Sequence, residues 1–447
     1  MHVLMLGWEF PPFVTGGLGT ACYGLTKAMD RRGIQITFVL PKPSDKQSAS
    51  HVTVLDPSKE IEGDSTDSIY ASDFTKVKFL SVAAGFSSPY ERPDAQGKTK
   101  HSTSEIQTFA SGQLPLDDDE LLALGDGWSP SMDYGSDLVN HVARYAHFCL
   151  AATRKLDFDI IHAHDWMTFP AGLWIARATG KPLVVHVHST EFDRSGKNVN
   201  QRVYDIERRG MHGAIKCIAV SQLTKNMLVH RYGMSPDKVE VVYNGVDLEP
   251  SKVGLTGIRS KDKIVLYFGR ITMQKGPEYF IRAAKRVLEV MDNVKFVVAG
   301  SGDMATQMIE MAADMGIGHR IIFTGFLRGK DIQRIFSLAD LYVMPSVSEP
   351  FGIAPLEAMS NDVPVLISKS SGVSEVLIHV LKVDFWDVDS MADKITAVLR
   401  HPPLSSTLRK HGAMEVRKLT WDGAANRCEQ VYNSVIKSMT APVAMPS

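Results

Sequence analysis

The chain lacks the features that would tie it to nucleic acid, to a membrane span or to an oxidising compartment. Its 447 residues carry 49 Lys plus Arg against 50 Asp plus Glu, so no overall field attracts a polyanion or an anionic bilayer. No stretch approaches the ~20 consecutive apolar residues of a bilayer span. The opening MHVLMLGWEFPP has no basic n-region and meets Glu9 early, so it does not read as a secretory signal. Cysteine is scarce: Cys22, Cys149, Cys217 and Cys428 are scattered without a C-x-x-C pair, which suits reduced core thiols in a cytoplasmic protein. The glycines after the first apolar run do not follow the G-x-G-x-x-G dinucleotide fingerprint.

What is present is alternation. The length exceeds one ordinary core and predicts two to three domains. HVLMLG (2–7), a helical stretch from about Leu18 to Arg32 and ITFVLP form a βαβ opening. Residues 44–135 are irregular. HVTVLD and KVKFLSV are candidate strands there, and the acidic LPLDDDELL reads as a solvated helix start. From Asp137 the alternation resumes through FDIIHAHD, PLVVHVH and AIKCIAVS. It restarts after VEVVYNGVD and the polar linker LEPSKVGLTGIRSKDK, with KIVLYFG, VKFVVAG, IIFTG, LYVMP and VPVLIS as strands. Steady strand–helix alternation predicts an α/β protein of two Rossmann-like, doubly wound parallel sheets. The expected domains are 1–243, with 44–135 as an insertion, then 244–415, then 416–447 as a final helix returning to the first domain plus a disordered APVAMPS tail.

The chemistry gathers at strand ends. In PSVSEPFGIAPLEAMSNDVP, Glu349 falls on a strand-to-helix loop and Glu357 inside the helix, while the amides of Phe351, Gly352, Ile353 and Ala354 at the helix start present partial positive charge to an anion. In FGRITMQKG, Arg270 and Lys275 offer two fixed cations to a leaving group that develops negative charge. Gly16, Gly17 and Gly19 let backbone approach a ligand near the first strand's carboxyl end, and Gly300 and Phe326 mark later strand ends. HAHDW places His162, His164, Asp165 and Trp166 at one strand end; HVHSTEFD places His186, His188 and Glu191 at the next. Paired H-x-H segments invite zinc, yet no third ligand follows at familiar spacing, so no metal is expected and His164 and His186 read as buried, hydrogen-bonded groups. On spacing alone, solvated loop charges and a solvated helix glutamate are equally good readings of the glutamate pair.

The Glu349-x7-Glu357 spacing, within SEPFG and PLEAM, resembles the signature of retaining glycosyltransferases of GT-B architecture, particularly family 4 and the glycogen and starch synthases. The run Gly269-Arg270 to Lys275-Gly276 resembles that family's diphosphate-binding motif. WEFPPFVTGGLG resembles its glycine-rich loop, with Val14 where K-T-G-G-L has lysine; KSSGVSE (369–375) stands where G-G-x-P-E is usual; and LTWDGAANRCEQVYNSVI resembles its last helix. The resemblance implies transfer of a hexose, glucose first, from a nucleotide-diphosphate sugar to a saccharide such as an α-glucan, without metal or cofactor. It implies that Arg270 and Lys275 bind the diphosphate and Glu357 the ribose. Glu349 and His188 would face the donor sugar, and Asp165 and Trp166 would lie near the acceptor groove. Alternatives are a small or lipid-linked acceptor, and a GT-B nucleotide-sugar epimerase. A pyridoxal-dependent phosphorylase would need a cofactor-lysine motif that is not recognisable here. No nucleic acid partner is expected; peripheral membrane contact and homo-oligomer formation stay open.

Overall fold

A computed structural model of the chain describes residues 1–11, 16–41, 75–82, 136–247 and 262–440. Two parallel sheets organise them. The first holds β1 (His2–Leu6), β2 (Gln35–Pro41), β3 (Val77–Val82), β4 (Ile160–His164), β5 (Leu183–Val187), β6 (Lys216–Ala219) and β7 (Val239–Val241), in the order β3-β2-β1-β4-β5-β6-β7. The second holds β8 (Lys263–Phe268), β9 (Val294–Ala299), β10 (Ile321–Gly325), β11 (Leu341–Met344), β12 (Val365–Ser368) and β13 (Leu381–Val383), in the order β10-β9-β8-β11-β12-β13. Each sheet winds outward from its first strand, then jumps back and winds the other way. Ligands of such sheets bind beyond the strand carboxyl ends at the reversal, here between β1 and β4 and between β8 and β11.

Among the described residues the helices are α1 (Gly17–Arg31), α2 (Ser136–Thr153), α3 (Phe169–Thr179), α4 (Glu191–Ser195), α5 (Gln201–Gly213), α6 (Gln222–Tyr232), α7 (Pro277–Leu288), α8 (Ala305–Asp314), α9 (Lys330–Leu338), α10 (Ala354–Ser360), α11 (Val388–Arg400), α12 (Pro402–Val416) and α13 (Trp421–Thr440). They cover both faces of both sheets, which is why the strands read as continuous apolar runs. Strand alternation sends Leu4 and Leu6 to the face covered by α2 and α3, and Val3 and Met5 to the face covered by α1 and α13. In the second sheet Val265 and Tyr267 pack with α7 and α11, and Leu266 with α9 and α10.

The last helix lies on the first sheet's side of the molecule, against α1, and the contact leaves no room. A Cβ added at Gly24 would sit 2.2 Å from the Trp421 ring. Gly24→Ala should therefore destabilise the fold by about 1–3 kcal/mol through overpacking, read as a lowered midpoint in urea or thermal unfolding. Where the halves meet, the Val246 N–H donates to the Leu419 carbonyl at 3.0 Å.

KVKFLSV forms β3, which pairs with β2 and ends the first sheet among the described residues. HVTVLD, the DDDE run, Val14 and the APVAMPS tail lie outside the described residues. Helices α6, α11 and α12 and strand β13 have no counterpart in the sequence reading. Strand β13 is three residues long, and α6 gathers few apolar residues on one face, so periodicity marks neither.

Candidate active site

The loops after β1, β4, β5, β8 and β11 meet in one cleft between the sheets. A cavity of about 480 Å³ is lined by Gly16 and Gly17 from the first half and by Arg270, Lys275, Gly300, Phe326, Glu349 and Glu357, with Gly352 and Ile353, from the second. A smaller pocket of about 90 Å³ adjoins it, shared by Glu9, Asp165, His188 and Asn244 on one side and Gln274, Glu349 and Phe351 on the other.

At its centre Lys275 Nζ donates to Glu349 Oε2 at 2.5 Å, and the Ser346 hydroxyl donates to the same oxygen at 3.3 Å. The loops bearing the pair are laced together: the Val347 and Ser348 N–H groups donate to the Gln274 carbonyl at 2.9 and 3.3 Å. Glu349 is tied at both backbone ends, its N–H to the Ser370 carbonyl at 3.0 Å and its carbonyl to the Gly372 N–H at 2.9 Å. Gly352 then turns the chain with φ +105°, and a Cβ there would lie 3.2 Å from Glu349 Cγ, so glycine is what lets the backbone pass beneath the carboxylate. Such tethering fixes a charge before any ligand arrives. Glu357, facing the larger cavity from α10, has its carboxyl pushed up to about 7 by desolvation.

The first half contributes a second fixed group. Asp165 adopts φ +58°, which turns its side chain back under the next strand end, where Oδ1 accepts from the His188 and Ser189 N–H groups at 2.7 and 3.3 Å. Burial pushes its carboxyl up to about 7, opposed by the Arg194 guanidinium. His188 shares a hydrogen bond from Nε2 to His164 Nδ1 at 2.9 Å, leaving Nδ1 for a ligand, and burial holds its ring neutral with a pKa of about 3. His162 Nε2 and His186 Nδ1 are paired at 3.2 Å, and His162 Nδ1 pairs with the Tyr432 hydroxyl of α13. Nitrogens of His162, His164 and His186 lie within 4.8 Å of one another, so a third candidate ligand is near in space. The rings are nevertheless stacked, 21° apart for His162 and His164 and 27° for His186 and His188. The pile is hydrogen-bonded only in part, because Nε2 of His164 and of His186 are buried without a hydrogen-bond partner.

The halves also touch beside the site. The Ser348 hydroxyl donates to Asp193 Oδ1 at 2.6 Å, and Asp193 is held by Thr190, whose N–H and hydroxyl both donate to Oδ2 at 2.8 Å. Beneath it Arg194 is buried against Glu191 and Glu207, at 3.3 and 2.5 Å. Glu375, at the end of the KSSGVSE segment, accepts from the N–H groups of Gln222 and Leu223 at 2.9 and 2.6 Å, so this turn of the second half caps α6 of the first.

The cleft thus brings together Gly16, Gly17, Arg270, Lys275, Gly300, Phe326, Glu349, Gly352, Ile353 and Glu357, with Asp165, His188 and Phe351 in the adjoining pocket. Two expectations are corrected. Trp166 is 1% exposed and packs in the core between the first sheet and α2 and α3, because the positive φ of Asp165 ends the strand's alternation and turns the next side chain inward. Gly19 is buried within α1 and does not line either pocket. Sequence reasoning missed Glu9, Asn244 and Gln274. A carboxylate inside the apolar run Trp8-Glu9-Phe10 is the one signal that could have found Glu9.

Two doubly wound sheets facing one polar cleft are the GT-B architecture. Residues 253–414 match the model of glycosyl transferases group 1, residues 130–250 that of glycosyltransferase family 4, and residues 2–110 that of the starch synthase catalytic domain. The chain is 27% identical to an uncharacterized glycosyltransferase of Methanocaldococcus jannaschii over 98% of this chain and 100% of that one. It is 23% identical to a glycogen synthase of Mycobacterium tuberculosis over 97% and 94%. Anabaena HepE, solved in complex with UDP-glucose, superimposes with a TM-score of 0.66 and 16% identity, covering 97% of this chain and 100% of that one. The fold is that of the GT-B glycosyltransferases, and the chain is similar along most of its length to those of the family 4 and glycogen-synthase-like type.

Proposed function

We propose that the chain transfers glucose, with retention of anomeric configuration, from a nucleoside-diphosphate glucose to a saccharide acceptor. The observation that carries this reading is the Lys275–Glu349 pair, 2.5 Å apart at the floor of a cleft that Arg270 also lines. In this reading the two cations neutralise the diphosphate as the bond from the anomeric carbon to its oxygen breaks, so the step calls for no metal. Glu349 stabilises the positive charge that develops at that carbon, and neutral His188 hydrogen-bonds a sugar hydroxyl from the other half. Phe326 and Gly300 border the nucleoside, Glu357 accepts from the ribose hydroxyls, and the amides of Phe351 to Ala354 add to the phosphate's surroundings. The UDP-glucose held by the HepE structure favours UDP as the nucleotide and glucose as the sugar. The starch synthase match and the glycogen synthase relative favour a glucan acceptor.

The experiment is transfer from UDP-glucose and ADP-glucose to maltooligosaccharides, followed by nucleotide release and by NMR of the new anomeric proton. An α product with release that depends on the acceptor supports the reading. Release without any acceptor dependence, or epimerised donor, opposes it. A pH prediction follows from Glu357. Its carboxylate accepts hydrogen bonds that the protonated acid loses, so nucleotide affinity should fall as the pH drops from about 8 to about 6, through the pKa near 7. Glu357→Gln should bind more weakly at the higher pH and lose most of this dependence in calorimetric titration.

A further inference from the structure

We infer that Asp193 is a positioning residue for Glu349: from the first half it grips Ser348 and so fixes the carboxylate that faces the donor sugar, an inference that rests on the transferase reading above. Both chain neighbours of Glu349 are bonded to the other half. On one side the Ser348 hydroxyl donates to Asp193 Oδ1 at 2.6 Å; on the other the Pro350 carbonyl accepts from the Thr224 hydroxyl of α6 at 3.4 Å. The backbone of Glu349 runs beside Ser371 in an isolated parallel bridge, and the Phe351 carbonyl accepts from the Val373 N–H at 2.8 Å. That neighbouring segment ends at Glu375, whose carboxylate caps α6 and also accepts from the Tyr243 hydroxyl at 3.2 Å. Each of these three holds on the Glu349 peptide leads to the first half.

Asp193 is the most firmly built of them. It closes a capping box at the start of α4, where Thr190 Oγ1 accepts from the Asp193 N–H at 3.4 Å while both Thr190 donors engage Oδ2. With Oδ2 so occupied, Oδ1 is the oxygen presented to Ser348. A hydroxyl donating to a carboxylate at this distance makes a charge-assisted bond, and Asp193 is 6% exposed, so water competes little for it. The same turn carries His188, five residues earlier, into the smaller pocket. One rigid corner of the first half therefore sets His188 directly and Glu349 through Ser348, which is how two groups on different halves hold a common geometry about one sugar. Neither Asp193 nor Ser348 lines either pocket. The groups assigned to the nucleotide, Arg270, Lys275 and Glu357, all belong to the second half and do not depend on this contact.

The test compares Ser348→Ala, Ser348→Thr, Asp193→Ala and the Ser348→Ala/Asp193→Ala double variant of the full chain, by transfer from UDP-glucose to maltotriose, by UDP titration and by amide hydrogen exchange of residues 345–353 with UDP bound. Ser348→Ala should lower kcat about tenfold while UDP affinity stays within about twofold, and exchange across the Glu349 peptide should quicken. Ser348→Thr keeps the hydroxyl and should recover most of the loss in both readouts. Asp193→Ala also opens the capping box and should lower the unfolding midpoint, so the decisive comparison is the cycle: adding Ser348→Ala to Asp193→Ala should cost kcat little more, because both remove one bond. Absence of transfer by the wild type would count against the transferase reading alone, since exchange still decides the contact. Unchanged exchange in Ser348→Ala, an unchanged kcat in an active enzyme, an equal loss of UDP affinity, or kcat losses that multiply in the double variant overturns the inference.

Discussion

Glu349→Ala should lower acceptor-dependent transfer by about 10²–10³-fold or more while leaving UDP bound at least as tightly as in the wild type. The loss is of the size seen when one preorganised charge facing a transition state is removed. The sign of the binding change follows from the ion pair. Lys275, 2.5 Å from the carboxylate, loses its partner and turns its full charge toward the diphosphate. Steady-state kinetics together with UDP titration separate the two effects: the fall belongs in kcat, not in nucleotide affinity. Glu349→Gln keeps the shape and the contact with Ser346 and should fall between. Turnover within about twofold of wild type in Glu349→Ala would reduce Glu349 to a structural partner of Lys275.

Lys275→Ala should weaken UDP binding by about 1.5–3 kcal/mol, or roughly 10- to 150-fold, the range for a hydrogen bond to a charged group. The loss should concentrate on the phosphates, so the affinity advantage of UDP over UMP shrinks and the salt dependence of binding flattens. Transfer should fall too. With the ammonium gone, a carboxylate whose side chain is 9% exposed stays in the cleft without its cation, a costly state that also lowers the unfolding midpoint. Lys275→Arg tests geometry: it keeps charge but replaces a compact ammonium with a planar fork that has to fit beside Ser346. Equal affinity for UDP and UMP in the wild type would remove the diphosphate from this account.

The parallel sheets were legible because buried strands in α/β layers are short apolar runs, and LYVMP, VKFVVAG and IIHAH stand out between polar helices. The Arg270–Lys275 and Glu349–Glu357 spacings were legible because each lies on one loop and one element, where sequence distance translates into space. Contacts made across the fold were not. Glu375 capping α6, Ser348 reaching Asp193, and the histidine pile tied to Tyr432 join segments more than a hundred residues apart. Trp166 was misplaced for a local reason. A non-glycine residue at φ +58° is rare, so nothing in the DW pair announced that the chain turns there. Glu9 reads as the ragged end of a strand until its two aromatic neighbours are seen in opposite cores.

The most direct measurement is thermal unfolding of the full chain with UDP, ADP and GDP, each in EDTA, repeated on a variant carrying both Arg270→Ala and Lys275→Ala. A ligand that binds the native state raises its stability by mass action, about 2.7 kcal/mol at a hundredfold excess over Kd. The account predicts a clear upward shift with one nucleotide in EDTA, and its loss in the double variant. No shift with any nucleotide, or a shift that survives removal of both cations, would contradict it.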